Sequence, residues 1–316
     1  MKLLSIAIVN YNFGRFLGEA IESVLRQCVE WPSIVKALES GVGGVSSLTL
    51  ATGDEIEIVI CDAASRDDSV ALIEEYARVL SGVRFTEFDE RNDDACFLWC
   101  SEKDRGQSHA FNKAYRRANG RFLTWLNADD ILLAGSLADF AHASRRHPKC
   151  EWFTGNFIRF NETSKRIFQV NIGPNYFPLV LQTRNMPIMV YGPSTMFSKK
   201  IYEMVGGIGE DYHYCMDSDL WVKFIVRGVH HRRVRNFWWA FRVHEDSKTS
   251  AGTISPAAAK IGGALHAEHE RTRVRESYSA SELIRRLVGM WRFFDGSWIR
   301  LIFLRLCWQG KKYMEV

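Results

Sequence analysis

Within the first 130 residues three apolar runs each stop at a cluster of short polar side chains, and that recurrence constrains the fold more than any other feature of the chain. LLSIAIV, residues 3–9, ends in Asn10-Tyr11-Asn12. Ile56 to Cys61 ends in Asp62 with Ser65 close behind, and Arg121 to Leu126 ends in Asn127, Asp129 and Asp130. Runs this apolar are strands covered on both faces. Phe16, Leu17, Ala20, Ile21, Val24 and Leu25 then recur at helical spacing, as do Val70, Leu72, Ile73, Tyr76, Ala77 and Leu80. Val83 to Phe88 reads as a further short strand and Ala110 to Ala118 as a helix. The alternation predicts an α/β fold, Rossmann-like, with a mostly parallel sheet flanked by helices. Ligands of such sheets bind at the carboxyl ends of the strands, where the three polar clusters fall.

Several chemistries lose weight at this rim. No G-x-G-x-x-G opens the first helix, no phosphate-loop motif occurs, and there is no G-x-S-x-G elbow. The rim is acidic, and an acidic rim holds phosphates through a cation. Carboxylates suit magnesium and manganese, which keep positions open for phosphate oxygens. Adjacent residues on extended backbone point oppositely, so Asp129 and Asp130 are not expected to chelate one ion together. Asp129 is assigned to the metal. Asp130 is left with a structural or acceptor-side role, including capping a helix that starts near Ile131.

Five segments in order, SIAIVNYNFGRFLGEAIESVLRQ, DAASRDDS, SEKDRGQSHAFNKAYRRANGRFLTWLNADD, MDSDLW and FRVHEDSKT, resemble the inverting glycosyltransferases of family 2, with the GT-A fold. The resemblance runs over about residues 3–250. It implies a nucleotide-sugar donor, with a UDP-sugar favoured, a divalent metal, and single displacement onto a hydroxyl of a saccharide or lipid-linked acceptor, in cell-surface polysaccharide synthesis. The family's D-x-D falls on Asn127-Ala128-Asp129, where Asn127 departs from the usual acid but can still accept a hydrogen bond from a ribose hydroxyl. Asp62 matches the base contact, with Val9, Asn10 and Tyr11 lining the same pocket, and Lys103, Asp104 and Asn112 match the donor-side wall. Asp217 of MDSDLW matches the general base, which must reach the attacking hydroxyl. Asp219 is read as a helix cap, with an acceptor-side role as its alternative. His244 resembles a third metal ligand, and imidazole in the set favours Mn2+ over Mg2+. Arg242 or Lys248 would assist the leaving phosphates, whereas His230-His231-Arg232-Arg233 reads as a solvated strand edge.

The remainder of the chain bounds the setting. Residues 1–250 are expected to form the catalytic domain. Within it, residues 28–55, containing SGVGGVSS, are expected to form a surface insertion of loop and turn. Residues 251–316 are expected to be a basic, amphipathic helical extension. Between 281 and 316 seven Lys or Arg stand against Glu282, Asp295 and Glu315, so the chain's whole formal charge of +4 resides there. That is too little to argue for nucleic acid. Leu283, Ile284, Leu287, Val288, Trp291, Phe294 and Trp298 recur at three and four with arginines between them. This suits an anionic membrane surface, or packing on the catalytic domain or on a second copy in a homo-oligomer. No signal peptide and no run of roughly 18–20 apolar residues occurs, so the expected location is cytoplasmic, peripheral to the inner face of the membrane. Seven cysteines without a C-x-x-C pair are expected to be reduced thiols. Two competing readings are a sugar-nucleotide nucleotidyltransferase, for which Asn12-Phe13-Gly14-Arg15 is a poor triphosphate loop, and a non-catalytic carbohydrate-binding protein of the same fold.

Overall fold

The structure is a computed structural model that describes residues 1–87, 95–173, 190, 192–247, 270, 272, 273 and 297–315. The apolar runs become the centre of one sheet. β1 (Leu4–Asn10) lies parallel to β3 (Glu55–Asp62) on one side and to β6 (Phe122–Asn127) on the other. β5 (Phe97–Ser101) pairs parallel with β3, and β4 (Val83–Arg84) with β5. β5 had no counterpart in the sequence reading. The register sets Asn10 beside Asp62 and Asp62 beside Ser101, so three strand ends share a rim.

Helices cover both faces as the 3.6-residue spacing demands. α1 (Gly14–Leu25) and α3 (Ser69–Val79) bury Leu17, Ile21, Val24 and Ile73 on one face, and α4 (Gln107–Arg117) packs Ala110, Phe111 and Ala114 on the other. Between β1 and β3 the segment expected to be loop holds α2 (Trp31–Ser40) and the short strand β2 (Leu48–Thr49), antiparallel to β3. Ile34, Leu48 and Leu50 are buried in the same core as α1, so this insertion is part of the packing and not a surface ornament. Close approach fixes one glycine: a Cβ on Gly120 would lie 2.5 Å from the Ser5 nitrogen, where the chain turns into β6.

Past β6 the sheet turns mixed. β7 (Ile131–Leu132) replaces the helix expected near Ile131. It pairs antiparallel with β11 (His231–Val243), and the helix, α5 (Ser136–Arg146), begins only after Gly135. β10 (Thr195–Ser198) runs antiparallel between β6 and β8 (Trp152–Asn161), while β11 lies parallel to β8, and β9 (Ile167–Asn171) pairs with β8 off the main path. α6 (Lys199–Met204) and α7 (Met216–Val226) follow. Trp221 of α7 stacks on Trp125 of β6 with ring centroids 5.6 Å apart, which locks the middle of α7 over the sheet.

The described part of the tail is α8 (Ser297–Trp308) and the turn after it. Gly310 N donates to Ile167 O, Ile167 N donates to Lys311 O, and the Tyr313 ring stacks on Phe160 at 4.2 Å, so this end is seated on β9 and β8. Leu283 to Phe294 and Lys248 lie outside the described residues, as does the Trp298 side chain. No helix among the described residues is long and apolar enough to cross a membrane, and all seven cysteines are free thiols.

Candidate active site

At the rim, Asp62 is fully buried and all of its acceptor capacity is in use. Its carboxylate takes hydrogen bonds from Asn10 Nδ2 at 2.7 Å, Ser101 Oγ at 2.7 Å, the Ser65 amide at 2.9 Å and the Ser65 hydroxyl. Asp62 thus ties three strand ends together, and a base contact there would have to displace one of these bonds. Val9 is half-buried beside this cluster and Tyr11, 56% exposed, stands at the rim. The loop after β1 is bound to the loop after β3, with Asn12 N donating to Ser65 Oγ, Arg66 N to Asn12 Oδ1 and Gly14 N to Asp67 Oδ2 at 2.8 Å each.

On the other side of β1, Asn127 bridges two groups. Its Nδ2 donates to Asp130 Oδ2 at 2.8 Å and its Oδ1 accepts from Gln107 Nε2 at 3.1 Å. Asp130 is wholly buried and also accepts the Arg242 amide at 3.0 Å, so the acceptor-side role is excluded and the helix cap with it. Burial, and then the neighbouring Asp129 carboxylate, push the Asp130 carboxyl well above the usual range. The Asn where the family carries an acid suits this neighbour: an ionised aspartate at 127 could not donate to Asp130.

Asp129 points the other way and meets His244 at the end of β11, with Oδ2 3.1 Å from Nε2. The imidazole is packed between the rings of Phe16 and Phe13, at centroid distances of 4.7 and 5.7 Å. Two adjacent ligands of a near-octahedral cation, each bonded at about 2.1 Å, lie about 3 Å apart, so the pair fits a small divalent ion as it stands. Among the described residues no third His, Cys, Asp or Glu joins them. Remaining positions would fall to donor oxygens and water.

Arg15 reaches within 3.4 Å of His244 Nδ1 and pairs with Asp246 at 2.6 Å, both half-exposed. Among the described residues it is a cation at this edge, in the Asn12-Phe13-Gly14-Arg15 segment that the sequence offered only as a poor triphosphate loop. Arg242 is not that cation. Its guanidinium is buried between Glu19 and Glu162, lies over the Phe16 and Phe160 rings, and donates through Nε to the Asp129 carbonyl at 2.7 Å. Tyr313 donates to the same Glu19. Burial opposes the charge of Arg242, but the two glutamates outweigh it and hold the guanidinium above its ordinary value.

Asp217 lies in the first turn of α7, half-buried, with Oδ1 accepting the Ser218 amide at 2.7 Å. The start of α7 is pinned to that of α4: Ser108 Oγ donates to Tyr212 O at 3.0 Å and contacts Met216 Sδ at 3.3 Å, one residue from the Gln107 that holds Asn127. Glu270, buried, accepts the amides of His213, Tyr214 and Cys215 at 2.7, 2.8 and 3.0 Å, so a carboxylate 53 residues downstream fixes the approach to Asp217. Nothing local in the sequence marks it. Asp219 is corrected on both counts. Cys215 occupies the cap position, and Asp219 is buried and paired with Lys223 at 2.7 Å.

Asp104 folds back on the Gly106 amide at 2.8 Å, where a φ of 118° requires glycine, and Lys103 is exposed at the same loop. Asn112 is part-buried and bonded within the fold. It accepts from the Tyr202 hydroxyl and donates to Ile208 O at 2.9 Å, clamping the loop before Glu210 to α4. His231, expected on a solvated edge, is buried against Trp152 and bonded to Thr154, whereas His230 and Arg232 are exposed.

A model of the family described as Glycosyl transferase family 2 matches residues 5–206. The chain is 20% identical over 226 residues to an uncharacterized glycosyltransferase of Rickettsia prowazekii, covering 70% of this chain and 58% of that protein. It is 22% identical over 225 residues to the chondroitin synthase of Escherichia coli, covering 71% and 26%. It thus spans little more than half of the first relative and about a quarter of the second. Among solved structures it resembles S. aureus TarS residues 1–349 in complex with UDP-GlcNAc, with a TM-score of 0.53 and 14% identity over 81% of this chain and 62% of that one. It also resembles the mannosyltransferase PcManGT of Pyrobaculum calidifontis in complex with GDP-Man and Mn2+, with a TM-score of 0.50 and 16% identity over 92% and 79%. Likeness at such identities establishes the fold, which is GT-A.

Proposed function

The chain belongs to glycosyl transferase family 2, and on that premise we propose an inverting transfer of a sugar from a nucleoside-diphosphate donor to a hydroxyl of a saccharide or lipid-linked acceptor. The observation that carries this reading is the meeting of Asp129 and His244, 3.1 Å apart at the rim where β1, β3 and β6 end. A divalent cation held by that pair would offset the charge gathering on the leaving diphosphate. Imidazole in the donor set favours manganese, as does the Mn2+ named with the Pyrobaculum mannosyltransferase. Arg15, half-exposed beside His244, supplies a second positive charge on the same side.

Asp217 acts as the base in this reading. A half-buried carboxylate at the start of α7 takes the proton of the attacking hydroxyl, held in place by the Ser108 contacts and by Glu270. Attack opposite the leaving group then inverts the anomeric carbon in one step. A UDP-sugar is the favoured donor, since TarS was solved with UDP-GlcNAc. The likeness to chondroitin synthase supports a place in polysaccharide synthesis. The same reading sets the protein in the cytoplasm, peripheral to the inner face of a membrane. A nucleotidyltransferase is disfavoured because the Asn12 and Gly14 amides, which a triphosphate would need, already donate to Ser65 and Asp67.

The test is release of nucleoside diphosphate from UDP-, GDP- and dTDP-sugars with Mn2+, Mg2+ or chelator, and with a panel of glycan acceptors. Metal-dependent release that Asp129→Asn and Asp217→Asn abolish is expected. Release by those folded variants at the parent's rate would refute the assignment.

A further inference from the structure

Helix α8 has two apolar faces, of which the described residues cover only one. Leu304 and Trp308 turn inward to the cluster containing Ile158, Phe160 and Ala240, with Trp308 5.3 Å from the Phe237 ring. At 3.6 residues per turn, Ile299, Ile302, Phe303 and Leu306 fall together on the opposite side. They are 68%, 44%, 64% and 80% exposed. Large apolar side chains spaced at i, i+3, i+4 and i+7 form a continuous ridge and not a scatter of single exposed residues.

The flanks of the ridge are basic. By the same helical geometry Arg300 lies along one edge and Arg305 along the other, and α8 contains no acidic residue. Lys311 and Lys312 follow, both exposed. Arg300 also approaches Arg235 of β11, whose carbonyl it reaches at 3.4 Å, so like charges are gathered here.

We propose that this face of α8 seats on an anionic lipid bilayer, the helix lying in the plane of the interface with its ridge in the acyl boundary. Arg300 and Arg305 extend from the two edges to lipid phosphates while their stems stay on apolar surface. Charge selects this occupant. A second copy docked by the same face would set each arginine-edged ridge against its own equivalent. A neutral apolar partner would leave both edges without counter-charge. The inner face of α8 and the Gly310 and Lys311 contacts to Ile167 hold the ridge on a firm mount, so binding demands little ordering of the helix.

The proposal gives a surface to the membrane location in the proposed function but does not depend on sugar transfer, and its test needs no substrate. The full chain is sedimented with vesicles of phosphatidylcholine alone or mixed with phosphatidylglycerol. Capture by the anionic vesicles, weakened by salt, is expected. Phe303→Ser with Leu306→Ser is expected to lower the partition coefficient at least about tenfold. Because both side chains are exposed, the melting temperature of that variant should match the parent's. Arg300→Glu with Arg305→Glu should lose the preference for anionic lipid. Parent protein left in solution beside anionic vesicles, undiminished capture of the serine variant, or a parent dimer that the serine variant dissolves would each overturn the proposal.

Discussion

Replacing Asn127 by Asp restores the acid usual in the family's metal motif, and it should nevertheless weaken the protein. Asn127 Nδ2 lies 2.8 Å from the oxygen of a carboxylate with no solvent exposure, and its Oδ1 holds Gln107. The substitution keeps the acceptor and removes the donor. A hydrogen bond to a charged group contributes about 1.5–3 kcal/mol, and that is the loss expected if Asp130 stays ionised. Repulsion adds to it, because two carboxylates at this separation would oppose each other by several kcal/mol at an effective dielectric near 20. The chain escapes the repulsion by binding a proton between them, which Asp130 is predisposed to accept. Asn127→Asp should therefore unfold in urea with a loss of at least about 1.5–3 kcal/mol at pH 8, shrinking as the pH falls. Asn127→Ala, which removes the donor without adding charge, should lose less stability, by the hydrogen bond alone, and with a weaker dependence on pH than Asn127→Asp. An Asn127→Asp protein as stable as the parent at pH 8 would show that the bridge to Asp130 is not what the asparagine is for.

Other perturbations test separate parts of the account. Burial, then Arg233 and Arg232, pull the His231 imidazole down from 6.5 to about 3, so the unfolded chain takes up a proton that the folded chain refuses. Stability is complete above pH 6.5 and falls below it by about 1.4 kcal/mol per pH unit, so His231→Gln should abolish a loss of about 2 kcal/mol between pH 6.5 and 5 in denaturant titrations. Asp217→Asn should lower kcat by about 10²–10⁴-fold while KM for the donor moves little, as steady-state assays would show. His244→Ala should weaken Mn2+ binding in the presence of nucleoside diphosphate, read by the paramagnetic signal of the free ion. Tyr313→Phe keeps the stacking on Phe160 and loses the hydroxyl contact to Glu19, a cost of about 1 kcal/mol in thermal or chemical unfolding.

The sheet centre was legible because its signals are local. A strand buried on both faces leaves a run such as LLSIAIV, and a helix over it leaves Phe16, Ala20 and Val24 in step, whatever the rest of the chain does. β5 escaped notice because CFLWCS is short and follows charged residues, and its strand character comes from pairing with β3. ILLAG after Asp130 has the composition of a helix start, yet Ile131 and Leu132 pair with Ala240 and Trp239, more than a hundred residues away. The same limit governs the site. Which residues surround the rim could be read from strand ends, and Asp129 with His244 came together as the resemblance implied. Which of them face outward depends on burial, a property of the whole fold. Asp62, Asn112, Asp130 and Arg242 have the chemistry of site contacts, and each is also tied into the fold by hydrogen bonds of its own.

The seat of Tyr313 has a consequence for how the protein is made. Glu19 from the first helix, Arg242 from the last long strand and Tyr313 from the end of the tail form one clasp on the Asp129 carbonyl. During synthesis the parallel core can assemble as it emerges, but this clasp closes only when residue 313 has cleared the ribosome. A nascent chain stalled a few residues short should already be folded and still lack the final hold on the corner that carries Asp129 and His244.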